Sequence, residues 1–458
     1  MGSNPGCDPA VRERFPGGVE IFGIHRMEDT TMTEHVATNE TILVVGGGIS
    51  GMTAALEAAE TGKNVVLVEK NPALGGRTSQ LYRYFPKLCH PTCGLEINLR
   101  RLKNNPRVRV LTLAEVTGIT GSAGDYTATV TVKPRYVNEN CTACGDCERA
   151  VDMSVADPFN YKLGQHKAAY LPNAMAYPQR YVLDPAILGT PDAEKAKAAC
   201  KYGAIDLDMK EETIQVKAGA VVWATGWQPY DAAKIQPYGY GRFKNVITSV
   251  EFERLADPHG PTGGRLLRPS DGKEAKNVAF IQCAGSRDEN HLRHCSRICC
   301  MASLKQTHYV REKYPEDGKS TIYYIDIRAI DRFEDFYQKV QADPSVSFVK
   351  SKVARISEDE QGNPVCWGVN TEGYKRYTTP HDLVVLAIGM EPSVKGFDIP
   401  GHVVADSSGF IEADPANGAV FGAGCASNAL DVNRAVQSAT AAALRAIQVV
   451  NKVAKAEA

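Results

Sequence analysis

The sequence predicts an α/β protein: a parallel dinucleotide-binding sheet, interrupted by a cysteine-rich insertion and followed by a second β-rich unit. Three observations carry this. The apolar run Thr41-Ile42-Leu43-Val44-Val45 leads through Gly46-Gly47-Gly48-Ile49-Ser50-Gly51 into an Ala-rich helical pattern from about Ile49 to Glu60, and a second strand, Asn64 to Glu69, comes next at βαβ spacing. Residues 136 to about 210 lose that pattern and gather cysteines, tyrosines and prolines. Strands then resume, and Phe421-Gly422-Ala423-Gly424 precedes an Ala-rich helix from about Asp431 to Lys455.

Along the chain, residues 1–38 mix Gly, Pro, Thr and charge and read as a flexible leader; Met27 and Met32 just before the first strand raise a start-codon artefact. Residues 39–135 form the first part of the dinucleotide unit, including the strand-like Val108 to Leu113 and an alternating ribbon, Tyr126 to Val132. Residues 136–210 are the insertion, helical only from Asp192 to Cys200. Residues 211–275 resume the first unit with Ile214 to Lys217 and the buried run Ala220-Val221-Val222-Trp223-Ala224. Residues 276–395 are a second unit with strands at Asn277 to Ile281, Thr321 to Ile325, Val346 to Phe348 and Leu383 to Ile388, and residues 396–458 close the first unit.

Composition narrows the function. The 458 residues give a prior of about three domains. Lys plus Arg (52) nearly cancel Asp plus Glu (53), which disfavours nucleic acid as a partner. No stretch approaches the roughly 18–20 apolar residues of a membrane span, and no secretory signal is evident, so the chain is expected to be cytoplasmic. Thirteen cysteines are then in the wrong compartment for a disulfide framework and point to metal clusters or thiol redox chemistry.

Gly46, Gly48 and Gly51 form a GxGxxG between strand and helix, the context in which glycines permit a tight turn, close approach of a pyrophosphate and close helix packing. The helix N-terminus supplies N–H donors for the phosphates. Glu69, 23 residues after Gly46, is placed to accept from ribose hydroxyls. The next segment, Asn71-Pro72-Ala73-Leu74-Gly75-Gly76-Arg77, resembles the GG-Arg segment of flavoproteins with two dinucleotide-binding domains, the thioredoxin-reductase-like fold. Ala224-Thr225-Gly226 and Gly422-Ala423-Gly424 resemble two further segments of that superfamily. The resemblance implies FAD, held by Gly46, Gly48, Gly51, Glu69, Lys70, Gly76, Arg77, Thr225, Gly226, Gly424, Asp431 and Val432. A helix starting at Asp431 to Asn433 would aim its dipole at the flavin N1/O2 edge.

In thioredoxin reductase a second GxGxxG serves a nicotinamide dinucleotide. Here the strand Asn277 to Gln282 runs into Cys283-Ala284-Gly285-Ser286-Arg287-Asp288-Glu289, without a glycine triad, and NAD(P)H binding is not expected. Cys283, Cys295, Cys299 and Cys300 instead place four thiolates within 18 residues, the requirement of a 4Fe-4S cluster; zinc, free cysteines and a redox disulfide are the alternatives. In the insertion, Cys141-Thr142-Ala143-Cys144-Gly145-Asp146-Cys147 is CxxCxxC, the start of a bacterial ferredoxin run. Val151 stands where the fourth Cys of that run would lie, and Cys200 resembles the remote ligand of the first cluster. One cluster on Cys141, Cys144, Cys147 and Cys200 is the reading, with zinc or a metal-free remnant as alternatives. The implied complement is FAD with one or two 4Fe-4S clusters.

Of the remaining cysteines, Cys89 and Cys93 divide between redox thiols and simple packing, Cys425 reads as a small core residue, and Cys7 and Cys366 suggest no chemistry. His291 and His294 flank the second set and would tune it by hydrogen bonds to sulfur, unless they are exposed loop residues.

The segment His294-Cys295-Ser296-Arg297-Ile298-Cys299-Cys300-Met301 after Cys283 resembles the cluster motif of the heterodisulfide reductase A subunit, and the order of motifs resembles that HdrA-like flavoprotein family over nearly all of the chain after residue 40. The sequence closes after the second flavin motif, so the resemblance implies a short form. Phe85-Pro86-Lys87-Leu88-Cys89-His90-Pro91-Thr92-Cys93-Gly94-Leu95-Glu96-Ile97-Asn98 looks most like the A subunit of the quinone-interacting membrane-bound oxidoreductase of sulfate reducers. That resemblance implies an oxidoreductase subunit passing electrons between menaquinol, through a membrane quinone-reactive subunit, and adenylylsulfate reductase. It would be peripherally membrane-associated through its partners. The alternatives are a bifurcating or sulfur-oxidising heterodisulfide-reductase-like role, and a cluster-bearing scaffold with a structural flavin.

Overall fold

The computed structural model describes residues 40–401 and 403–456; the predicted leader, with Cys7, lies outside them. The described helices are α1 (Ile49–Glu60), α2 (Thr92–Asn104), α3 (Asp146–Ala150), α4 (Pro191–Ala199), α5 (Ser249–Ala256), α6 (Cys299–Lys313), α7 (Glu334–Gln341) and α8 (Val432–Ala456).

Two five-stranded parallel sheets organise the chain. The first runs in the order Val420–Gly422, Ala220–Trp223, Ile42–Val45, Val65–Glu69, Val108–Thr112. Its three middle strands are buried throughout, as the near-continuous Val/Ile/Leu runs of a sheet covered on both faces require. Helices α1 and α8 pack on one another and on this sheet through Ala-rich surfaces, which let the backbones approach closely. An antiparallel sheet, Glu212–Ala218, Asp125–Val132, Ala114–Ser122, lies beside it.

The second sheet runs Val246–Thr248, Leu383–Ile388, Asn277–Ala284, Lys319–Tyr324, Val346–Lys350. Val246–Thr248 falls in the 211–275 stretch that the sequence assigned to the first unit, yet pairs with Val384–Leu386 of the second. A buried strand of 3 residues carries no periodicity by which to read its sheet. Thr248 also caps α5 through a reciprocal bond with Glu251. An antiparallel ribbon of Trp227–Pro229 with Met390–Pro392 joins the two units.

The insertion has its own core of Tyr136, Val137, Cys147, Val151, Leu183, Ile187, Ala196 and Ile205. Its ends meet: Val137 bridges Ile205, and Asn138 N–H donates to the Ala204 carbonyl at 2.7 Å. A unit with adjacent ends sits in a loop of its host without distorting it. It is tied down by Arg135, 6% exposed, whose guanidinium donates to Pro72 and Thr112 of the host and to the Arg180 and Tyr181 carbonyls of the insertion. No helix among the described residues is long and apolar enough to cross a membrane.

Candidate functional site

The first strand, Ile42–Val45, ends in Gly46, whose φ of +107° an L side chain rarely adopts and whose Cβ would lie 2.4 Å from the Ala224 carbonyl oxygen. A Cβ on Gly51 would lie 1.7 Å from Gly46 O, so α1 can press onto the turn only with glycine there. Gly48, the N-cap of α1, makes no side-chain capping bond, which leaves the helix N-terminus as an anion cradle. Glu69, 4% exposed, accepts from Gly47 N–H at 2.5 Å and from the Asn71 backbone and side chain at 2.8 and 2.7 Å. Burial raises its carboxyl pKa, opposed by those three donors. A carboxylate offers about four lone-pair sites, so one remains for a ribose hydroxyl.

This turn opens into a cavity of about 1280 Å³. Of the residues assigned to FAD, Gly46, Gly48, Glu69, Lys70, Gly76, Arg77, Thr225, Gly226, Asp431 and Val432 stand on its wall. Gly51 and Gly424 do not. Gly51 acts through helix packing, and Gly424, whose Cβ would lie 2.0 Å from Ser50 Oγ, through close contact with α1. Cys425, read as a core residue, is buried, and it also lines the cavity and donates its S–H to the Leu430 carbonyl. Asp431 accepts from Arg434 N–H at 3.1 Å, so part of the α8 N-terminus expected to face the flavin is taken up by its own cap. Arg77 bonds the Trp227 carbonyl and Tyr161 OH at 2.8 and 3.0 Å, joining the GG-Arg segment to the insertion, whose Tyr161 also lines the cavity. The elongated cavity, the buried carboxylate and the open helix end fit FAD.

The wall also carries a buried ion pair that the sequence did not reveal. Lys305 Nζ on α6 lies 2.7 Å from Glu253 Oε1 on α5, both about 2% exposed. Glu253 also accepts from Gln306, Tyr309 and Tyr82 N–H, and Lys305 donates to the Arg83 carbonyl. Burial lowers the Lys305 pKa and the pairing with Glu253 opposes it. The only trace in the sequence is a Lys and a Glu on otherwise buried helix faces.

Of the second cysteine set, Cys283 stands near the end of the strand Asn277–Ala284, Cys295 in the loop that follows, and Cys299 and Cys300 at the start of α6. Ser296, fully buried, accepts from Met390 N–H at 2.8 Å and pairs with Ser286 Oγ at 2.9 Å, fixing the loop to the joining ribbon. Arg297 N–H donates to Cys295 Sγ at 3.3 Å. Cys299 opens α6 and lines the cavity. Burial raises the Cys299 thiol pKa, and the neighbouring Cys300, Cys283 and Cys295 raise it further; Cys300 is pushed up to about 11, chiefly by burial. His291 and His294 bond Tyr230 OH and the Met390 carbonyl, so neither is directed at a sulfur.

In the insertion, Ala143 N–H donates to Cys141 Sγ at 3.4 Å and Ala204 N–H to Cys200 Sγ at 3.3 Å. Cys147 is pushed up to about 12 by burial and by Cys141 and Cys144. Cys141, Cys147 and Cys200 pack on one core and Cys144 is exposed. Among the described residues no three His, Cys, Asp or Glu side chains form a group that could hold a metal ion. A four-iron cube spaces its thiolates more widely than one ion does, and the donor chemistry fits it: two sets of four thiols, with backbone N–H groups aimed at the sulfurs of Cys141, Cys200 and Cys295. Of the other pair, Cys89 lines the cavity, Cys93 sits in the first turn of α2, and both are exposed.

Where the glycine triad of a second dinucleotide site would stand, Arg287 pairs with Asp326 at 2.6 Å and Asp288 with Lys352 at 2.8 Å. The turn is closed by side chains rather than opened to a pyrophosphate.

Fold and site together define a thioredoxin-reductase-like FAD oxidoreductase. Residues 41–158 match the family model described as FAD dependent oxidoreductase. Thioredoxin reductase from T. acidophilum superposes over 89% of this chain and 98% of its own, with a TM-score of 0.51 at 14% identity. More particularly, the chain is similar in sequence to A subunits of heterodisulfide reductases. It is 37% identical over 422 residues to the A subunit of the ferredoxin:CoB-CoM heterodisulfide reductase of Methanosarcina mazei, covering 89% of this chain and 53% of that one. It is also 37% identical over 436 residues to an iron-sulfur A subunit of the CoB–CoM heterodisulfide reductase of Methanopyrus kandleri, covering 92% and 66%. The chain thus spans about half to two thirds of the length of these relatives.

Proposed function

We propose that the chain is the FAD- and iron–sulfur-bearing electron-transfer subunit of a heterodisulfide-reductase-type complex. The observation that carries this is Cys299, which stands in the wall of the cavity built by the FAD motifs and belongs to the second thiol set. Bound FAD supplies an exchange between two-electron and one-electron steps. Around it Glu69 and the α1 N-terminus would hold the adenosine and pyrophosphate, Gly76 and Arg77 the middle of the cofactor, and Thr225, Gly226, Asp431 and Val432 its flavin end. The two cysteine sets would carry clusters. Lys305 and Glu253, both about 2% exposed, would hold a proton between them in that wall.

The relatives favour this reading over the route from menaquinol to adenylylsulfate reductase, and flavin-based bifurcation is the particular form we propose for it. The latter rests on the resemblance of Phe85 to Asn98, part of which, Phe85 to Lys87 and Cys89, lines the cavity. In either case the chain works on the cytoplasmic side and meets a membrane only through partner subunits. Potentiometric titration followed by EPR and visible absorption, with iron and sulfide counts, tests the reading. Reversibly reduced FAD with two clusters supports it, and strongly crossed one-electron flavin potentials select bifurcation. A flavin that cannot be reduced reversibly overturns electron transfer and leaves a scaffold.

A further inference from the structure

We propose that Arg297 is a positioning residue that couples the second cysteine set to the flavin end of the cavity through Asp431. Arg297 has a left-handed backbone, φ 66°, which points its N–H back at Cys295 Sγ at 3.3 Å. A bulky residue holds that conformation only where its surroundings impose it. Its side chain crosses to Asp431, with Nε 3.5 Å from Oδ2. Nε is buried and makes no hydrogen bond, so the contact is held by charge rather than by donor geometry. Asp431 is 8% exposed, caps α8 through Oδ1 and stands on the cavity wall. One residue therefore touches both sites, its main chain at a cysteine sulfur and its guanidinium at the carboxylate that caps the N-terminus of α8.

The contact acts in two ways. The loop is fixed on one side by Ser296 against Met390 N–H, and Arg297 is the tether on the flavin side. Electrostatically, an uncompensated Asp431 would cancel the positive end of α8, where reduction places negative charge on the flavin. Arg297 neutralises that carboxylate.

The inference rests on FAD and a cluster being bound as proposed, and the experiment separates the two. Wild type, R297Q, R297K, D431N and R297Q/D431N are prepared with cofactors. FAD and iron are counted, the flavin midpoint potential is measured spectroelectrochemically, and the reduced cluster is read by EPR. R297Q is expected to lower the flavin midpoint and change the g-values, D431N to raise the midpoint, the double variant to return it toward wild type, and R297K to restore it. If R297Q fails to fold, a raised midpoint in D431N supports the coupling and an unmoved one overturns it. Unchanged potentials with cofactors in place, or R297Q and D431N shifts of the same sign, overturn the inference alone. A wild-type chain without FAD or iron overturns the functional reading and the inference with it.

Discussion

The two cysteine sets share one local device and differ in everything around it. Cys141 and Cys295 each accept the N–H of the residue two positions on, and both donors, Ala143 at φ 56° and Arg297 at φ 66°, are left-handed non-glycine residues. Beyond that turn they part. The first set belongs to a core whose chain ends meet, with Cys144 at the surface and no member on the cavity wall. The second is strung between a sheet strand and α6, anchored to the joining ribbon, with Cys299 on the wall. The first is a self-contained unit set into a loop; the second is made from the turn after a nucleotide-type strand and shares its packing with the flavin cavity. Damage to the first should stay local, and damage to the second should reach the flavin.

The largest test of that contrast is cysteine removal. Cys144→Ala and Cys299→Ala should each remove about four irons per chain. Cys299→Ala should in addition shift the flavin absorption band, whereas Cys144→Ala should leave it untouched. Equal flavin effects would erase the contrast. Cys200→Ala should match Cys144→Ala in iron content, and unchanged iron would detach Cys200 from the set.

A second test runs from the flavin outward. Glu69→Ala strips the acceptor from buried donors on Gly47 and Asn71, and unsatisfied buried groups cost about 1–3 kcal/mol each. FAD affinity should fall about ten- to a hundredfold, the loss of a charged hydrogen bond from the carboxylate to the ribose. The emptied cavity should then expose iron on the second set to chelators sooner than iron on the first, as followed by bleaching kinetics.

Acid provides a third test. His381, 2% exposed on the chain leading into Leu383–Ile388, is held down to about 4 by burial. Between its ordinary 6.5 and about 4 the unfolded chain takes up a proton that the folded chain refuses, so stability is lost as pH falls through that window, by up to about 3 kcal/mol. The sheet carrying the second set should therefore loosen first, and urea unfolding at pH 7 and 4.5 reads the loss. His381→Gln should flatten the pH dependence.

Most of what sequence makes visible here is backbone-dictated. Ile42 to Gly51 could be placed because glycine at Gly46 and Gly51 is demanded by contacts of a bare backbone with Ala224 and Gly46. The CxxCxxC and CSRICC spacings are likewise fixed by a local turn. What escaped depends on distant partners. Lys305 and Glu253 look like ordinary helix-surface charges until the fold buries them together, and Val246–Thr248 is assigned by its partner strand and not by its own pattern. Arg297 and Asp431, 134 positions apart, are adjacent only in the folded chain.

The smallest expected effect is none at all, and it bears on how the second set arose. In a functional nicotinamide site the strand passes through a glycine turn directly into a helix, so that helix N–H groups face the pyrophosphate and an acidic residue after the next strand takes the ribose. Here α6 begins only at Cys299, well beyond the end of the strand at Ala284. Asp326, just after the next strand, is already paired with Arg287 at 2.6 Å. The N-terminus that would have faced a phosphate instead presents Cys299 and Cys300. NADH or NADPH added anaerobically in excess should therefore leave the flavin band unchanged over minutes, while dithionite bleaches it. Rapid bleaching by either nucleotide would show that the cysteine loop had been added to a working nucleotide site rather than built in its place.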